Sequence, residues 1–390
     1  MKDLQDIAGS KPLGYFVHHQ GRGHALRAAA ILNALPISRP VRLFCARDDI
    51  FPELRENVKV ERIPSLFERQ GDERGSVDSI DTPETLHCAP LGWPGIREAM
   101  ARITGWFASA DPALMIVDVS AEIAQLSRIC SVPHVAVVQH GERGDPGHRA
   151  GYDGAAGLLC PFHRSLAQPE WPERHRAKMG FFGGLGVDTH LPERAAARRR
   201  LGIAEDRQIA LVITGGGGNG LSQAPLSVAA RALPEFDWIT IGKVQRDWHA
   251  TEPANLSHRG WVEGGGDYIA AADLIVASTG NSTCGQVLTA GKPWIAVPEW
   301  RYFDEQVEKA KALARVGACT HLPWLPSSAA SWIDAVDTAK RQHCPERQKR
   351  LIDAAPAQAA ADWVETLIAR LWGDADRCDD TYEQKDLNHV

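Results

Sequence analysis

The sequence predicts an α/β protein with parallel sheets, built as two successive halves. Three observations carry this reading. A short apolar run ending in a glycine-rich turn and opening into a helix occurs at 13–35 and again at 209–233, and each is the start of a nucleotide-binding half. Runs such as 113–117 are apolar throughout rather than alternating, as strands buried on both faces are. Strand and helix signals then alternate through both halves, without any repeat of the sequence itself.

The elements follow in order. Residues 13–18 form a strand that breaks at Gln20-Gly21-Arg22-Gly23-His24 and opens into an Ala-rich helix over 25–35. Strands are expected at 41–45 and 58–63. Residues 64–95 are polar, with several Pro, Gly and Ser, and a stretch of that length suits an acceptor-side functional loop. A helix over 96–109, a buried strand over 113–117 ending at Asp118, a helix over 121–130 and a strand over 135–138 come next. Residues 139–151 read as a loop, 158–160 as the last strand of the half, and 161–180 as an interdomain connection. The second half has strands at 209–214, 237–241, 256–262, 274–277 and 294–298. Helices are expected at 221–233, 268–272, 281–292, 306–316 and 356–372.

Composition narrows the function. The 390 residues suggest two or three domains, and 44% hydrophobic with 24% charged residues is ordinary for a globular protein. A net charge of −6 argues against a nucleic-acid binder and against simple attraction to anionic lipid, while leaving room for peripheral membrane contact through a local patch. The eight cysteines show no paired or zinc-like spacing. Residues 1–10 carry Asp3 and Asp6 and lack the apolar core of a signal peptide, and no run is long enough to span a membrane. A cytoplasmic protein with reduced thiols is expected.

Several constellations carry chemistry. The helix opening at Asn281-Ser282-Thr283 follows a strand directly; its unpaired N–H groups and dipole would attract a phosphate, and Gly280 lets a ligand approach the backbone. The glycines of 215–220 form either a backbone nest for anions or a flexible turn. Gly21-x-Gly23-His24 is either a ligand-facing turn at a strand end or a capping histidine beside a structural turn. Arg27, on the same helix face, meets a phosphate or is a solvated charge. Asp118 closes a buried strand as a functional carboxylate or as a cap for the next helix. Trp261 is a core residue or, with Val262, a base contact. His18-His19 and His140…His148 present no clear ligand set, and Asp374-Ala375-Asp376 reads as a solvated acidic run.

Residues 273–306 resemble the donor-binding segment of GT-B glycosyltransferases, in both the MurG-like and UDP-glycosyltransferase branches. Gly280-Asn281-Ser282-Thr283 looks like G-W-N-S-T with the Trp missing, and Gly291-Lys292-Pro293, Pro298 and Glu305-Gln306 match the G-x-P, P and D-Q that follow. The G-x-G-H turn and the segment MIVDVSAEIAQLSRICSVPHVAV extend the likeness to the first half. It implies two Rossmann-like domains facing across a cleft: an acceptor-binding domain over 11–170, a nucleotide-sugar domain over 181–355, a helix over 356–372 crossing back, and a mobile tail over 373–390. It further implies an inverting, hexosyltransferase-type transfer from a UDP-sugar to a small-molecule or glycan acceptor, without cofactor or metal. His24 would be the base and Asp118 its partner. Gly23, Gly215, Gly216, Gly217, Asn219, Thr279, Gly280, Asn281, Ser282 and Thr283 would bind the donor. Trp261 and Val262 would meet the base, Gln286 the ribose in place of a MurG-like Glu, and Glu305 with Gln306 the sugar. A nucleotide-sugar hydrolase and a non-catalytic nucleotide-sugar-binding protein are the alternatives.

Overall fold

A computed structural model of the chain describes residues 11–71, 75–214, 220–245 and 251–373. The first domain is a seven-stranded parallel sheet of β1 (Leu13–Val17), β2 (Val41–Cys45), β3 (Val58–Arg62), β4 (Leu114–Asp118), β5 (His134–Val137), β6 (Gly157–Cys160) and β7 (Met179–Phe181). Its order is β3-β2-β1-β4-β5-β6-β7. The chain winds outward from β1 in one direction and from β4 in the other, so the crevice between those strands is the topological switch point where ligands of such sheets bind. β1, β4, β5 and β6 are buried along their whole length, which explains their unbroken apolar runs.

The second domain repeats this plan. β8 (Gln208–Ile213), β10 (Phe236–Ile241), β12 (Leu256–His258), β13 (Leu274–Ala277), β14 (Trp294–Ala296) and β15 (Thr320–His321) form a parallel sheet in the order β12-β10-β8-β13-β14-β15. Its switch point lies between β8 and β13. A two-strand ribbon of β9 (Leu221–Ser222) and β11 (Val244–Gln245) stands apart.

Local expectations change in several places. The histidine-rich stretch after β5 is helical over Pro146–Gly154, because Asp145 caps it and Pro146 starts it. The supposed connection over 161–180 ends in β7, which pairs with β6 through Leu158 and Met179, so the first sheet extends past residue 170. The expected helix over 221–233 begins only at Gln223, after the short strand β9. Helices Ala329–Gln342 and Pro345–Lys349 and strand β15 had no expectation attached. The tail 374–390 and the glycine turn 215–219 lie outside the described residues.

Helix Pro356–Trp372 packs onto the first domain, as the resemblance implies. Val364, Leu367 and Ile368 join a core cluster with Leu13, Ile31, Leu114 and Leu159. Arg39 grips Glu365 with Nε–Oε1 at 2.9 Å and Nη2–Oε2 at 2.6 Å, and Trp372 Nε1 donates to the Ala113 carbonyl at 2.9 Å. A second cluster joins Ala136, Leu158 and Cys160 of the first domain to Ile209, Leu211 and Ile275 of the second, so the domains share apolar core. Leu367→Ala is expected to lower the stability of the whole chain by about 2–5 kcal/mol, the usual loss for a buried leucine. Urea unfolding of the full chain reads this directly; a loss below about 1 kcal/mol would mean that the helix is not part of the first domain's core.

Candidate functional site in the interdomain cleft

Both switch points open into one cleft of about 1850 Å³. On the first-domain side, β1 and β4 are adjacent strands with Val17 opposite Asp118. Gly21, at φ 88°, turns the chain from β1 into helix Arg22–Ala34, whose first turn carries His24. His24 Nδ1 lies 3.0 Å from Asp118 Oδ1. If Nδ1 carries the proton to the carboxylate, Nε2 is left as the basic atom.

Arg27 is the main correction on this side. It neither faces solvent nor reaches outward for a phosphate: it is 1% exposed and lies against Asp118. Its Nη2 is 2.7 Å from Oδ1 and 2.8 Å from Oδ2, its Nε donates to Oδ2 at 3.2 Å, and Nη2 also lies 3.0 Å from His24 Nδ1. The helical spacing of three residues that puts His24 and Arg27 on one face points that face at the buried carboxylate. Asp118 is not the cap of helix Ala121–Ile129; Ser120 is, accepting from the Ile123 N–H at 3.2 Å. Burial alone would raise the Asp118 pKa, but the Arg27 charge and then His24 outweigh it, so the carboxyl stays below its ordinary range. His18, stacked on Phe67 with centroids 4.3 Å apart, is held at about 3 by burial and then by the neighbouring His24, so it is neutral near pH 7.

On the second-domain side, β13 runs into helix Asn281–Ala290. Gly280 is its N-cap and no side chain caps it, so Asn281, Ser282 and Thr283 form the first turn. That leaves backbone N–H groups directed out of the helix start. Behind them the buried Lys309 ammonium bonds Asn281 Oδ1 and lies 3.4 Å from Glu305 Oε1. Burial opposes ionisation of Glu305, and Lys309, Arg143 and His24 together keep its pKa lowered. Thr279 is fully buried: its Oγ1 donates to the Gln306 carbonyl at 2.6 Å. Gln306 Oε1 accepts from the N–H groups of Thr279 at 3.3 Å and Glu299 at 2.9 Å, so this amide staples the loop after β14 beneath the helix start.

The two helix starts face each other: a Cβ added to Gly23 would stand 3.7 Å from Ser282 Oγ. Gly280, Asn281, Ser282, Thr283, Glu305 and Gln306 line the cleft with Trp261 and Val262. Trp261 is 70% exposed, which excludes the core reading of that residue. Gln286 is half-buried and is not among the cleft-lining residues, because it lies a further turn along the helix from Ser282 and Thr283. Gly215, Gly216, Gly217 and Asn219 lie outside the described residues; Thr214 and Gly220, which flank them, line the cleft.

Several groups had no usable sequence signal. Lys309 sits in an ordinary helical stretch. Trp300, Tyr302 and Trp324 are 71–76% exposed on the cleft rim, although isolated aromatics usually read as core. Phe303 and Asp304 have φ of 59° and 51° without being glycine, and the Phe303 carbonyl accepts from the Glu142 N–H of the first domain at 2.7 Å. His148, expected to lack a ligand set, meets Asp145 and His87; the long segment after β3 brings His87 there, and local sequence spacing does not report such a meeting.

Two parallel sheets with paired switch-point sites across a cleft define the GT-B fold. Residues 259–366 match the glycosyltransferase family 28 C-terminal domain. A 198-residue segment is 27% identical to UDP-N-acetylglucosamine–N-acetylmuramyl-(pentapeptide) pyrophosphoryl-undecaprenol N-acetylglucosamine transferase of Salinibacter ruber, covering 47% of this chain and 50% of that protein. The match thus spans about half the length of that relative. Among solved structures, MurG of Acinetobacter baumannii is similar at TM-score 0.56 and 16% identity, covering 92% of this chain and 99% of that one. A UDP-glucosyltransferase from Polygonum tinctorium is similar at TM-score 0.62 and 13% identity, covering 92% and 98%. No helix among the described residues is long and apolar enough to cross a membrane.

Asp118→Ala would strand the Arg27 guanidinium in the core and is expected to destabilise the chain by about 3–5 kcal/mol, the loss for a broken buried pair. Calorimetric unfolding checks this; a loss within about 0.5–2 kcal/mol would be that of a helix cap instead.

Proposed function

We propose that the protein is an inverting glycosyltransferase that moves a sugar from a UDP-like nucleotide-sugar to a small-molecule or glycan acceptor. The observation that carries this reading is the opposition of His24, seated on Asp118, to the uncapped helix start at Gly280 across one cleft. The donor lies on the second domain. Its diphosphate meets the N–H groups at Asn281–Thr283 and the glycine turn at 215–220, with the Lys309 charge behind Asn281. Trp261 and Val262 are offered to the base, and Glu305 to the sugar hydroxyls. With Gln286 away from the cleft wall, the ribose falls to other groups near the helix start. The acceptor enters from the first domain.

In the reaction, His24 Nε2 takes the acceptor proton while the acceptor oxygen attacks the anomeric carbon from the face opposite the diphosphate. The bond from that carbon to the diphosphate oxygen breaks, and its electron pair leaves on the nucleotide. Asp118 fixes the Nδ1–H tautomer and carries part of the compensating charge for the imidazolium. Helix dipole and backbone donors take up the charge developing on the leaving diphosphate, so this step assigns no task to a metal.

His24→Ala is expected to lower kcat about 10²–10⁴-fold with little change in affinity for UDP, because the base acts on the acceptor. Thr283→Pro is expected to do the reverse and abolish UDP binding. Nucleotide release with a panel of nucleotide-sugars, with and without acceptors, and UDP calorimetry on the same preparations separate the two effects. Wild-type turnover in the His24 variant would remove the base, and release that never depends on an acceptor would favour a hydrolase.

A further inference from the structure

The irregular segment after β3 carries His87 to the start of helix Pro146–Gly154. Asp145 caps that helix, its Oδ1 accepting from the His148 N–H at 3.1 Å. The same carboxylate meets two imidazoles: His87 Nε2 is 2.7 Å from Oδ1 and His148 Nδ1 is 2.5 Å from Oδ2. Among the described residues these three side chains form a group whose ligand atoms all lie within 4.8 Å of one another. Gly147 makes the approach possible, since a Cβ there would stand 2.5 Å from His87 Nε2. His87 is also set from behind: Glu122 Oε1 accepts from the backbone N–H groups of His87 at 2.6 Å and Cys88 at 2.8 Å.

We propose that His87, Asp145 and His148 bind one divalent transition-metal ion of the zinc class at the first-domain mouth of the cleft. Two imidazole nitrogens and one carboxylate oxygen are a donor set that suits Zn(II) and leaves a further position for water or a substrate group. His87 and His148 line the cleft, so that position opens toward it. At Zn–N and Zn–O distances of about 2.0–2.2 Å, tetrahedral ligand atoms stand roughly 3.3 Å apart. The two short contacts would open by less than about 1 Å, which the irregular backbone around His87 can supply. On binding, each ring moves the proton now facing Asp145 to its other nitrogen and offers the freed lone pair to the metal.

Arg143 opposes this. Its Nη1 lies 2.9 Å from His148 Nε2, the atom that must take the displaced proton, and it is a like charge beside the ion. It is held there by stacking over Phe303 at 4.9 Å and by a bond from Nε to the His140 carbonyl at 3.2 Å. The metal therefore competes with the Arg143–His148 contact, beside the Arg143–Phe303 contact that joins the two domains. Loading the site ties the segment around His87 to helix Pro146–Gly154 and loosens Arg143 from His148.

The test uses the full chain without nucleotide or acceptor, so its outcome is independent of the proposed transfer. Co(II) is titrated and followed by its visible absorption, and Zn(II) is measured by competition with a chromophoric chelator. One equivalent per chain is expected. Asp145→Asn, which preserves the helix cap, and His87→Ala should each weaken binding at least tenfold. Arg143→Met should tighten it several-fold, and His190→Ala, at an exposed position, should leave it unchanged. Melting temperatures confirm that each variant folds. Absence of stoichiometric uptake, or uptake that survives both the Asp145 and His87 changes, would overturn the proposal and leave the trio as a hydrogen-bonded clasp.

Discussion

The arrangement rests on an ion pair with no access to water. Asp118 and Arg27 are both almost fully buried at the crevice between β1 and β4, where each charge alone would be costly. They hold each other in a three-contact grip, and the remaining reach of Asp118 Oδ1 seats His24. Strand register, turn and helix phase must all agree for this to occur: Asp118 at the end of β4, Gly21 turning the chain, and a three-residue step on the helix. The pair also alters the electrostatics of the histidine. His24 borders a carboxylate whose charge is shared with a guanidinium, so Asp118 acts on it more by orientation than by bare attraction.

The opposite wall uses another device. Nothing on a side chain closes the helix start after β13, and the buried Lys309 behind Asn281 adds positive potential there. One wall therefore carries an imidazole and the other an uncapped helix start, with Gly23 and Ser282 bringing them close. The domains are not independent bodies, because they share an apolar cluster and the C-terminal helix returns to the first domain. The strained backbone at Phe303 and Asp304, bonded to Glu142, adds a contact beside the cleft. It runs through the same loop that Gln306 staples beneath the helix start.

Sequence conveyed the fold because its central strands are buried on both faces and β1 and β13 lead into glycine-containing turns, signals that depend on near neighbours only. Several strands matched within a residue, and helix Pro356–Trp372 matched at both ends. The failures share a cause, which is tertiary contact. β7 is three residues long and exists because β6 offers it an edge. Arg27 read as a phosphate contact or a solvated charge because no local pattern announces a buried partner 91 residues away. Gln286 was placed by a motif offset, whereas its exposure follows from the turn of the helix it sits on. His87, Asp145 and His148 meet only after the segment following β3 has folded across the first domain. At the site itself, the turn at Gly21, His24, Asp118 and the helix start were legible as strand-end features; the residues that brace them were not.

The central claim is that the two walls act on one substrate pair, with attack opposite the departing diphosphate. The most direct test is proton NMR of the sugar product from an α-linked nucleotide-sugar, once an acceptor is found. The account predicts a β-linked glycoside formed at the rate of nucleotide release. An α-linked glycoside, or free sugar as the product whatever acceptor is present, would contradict it.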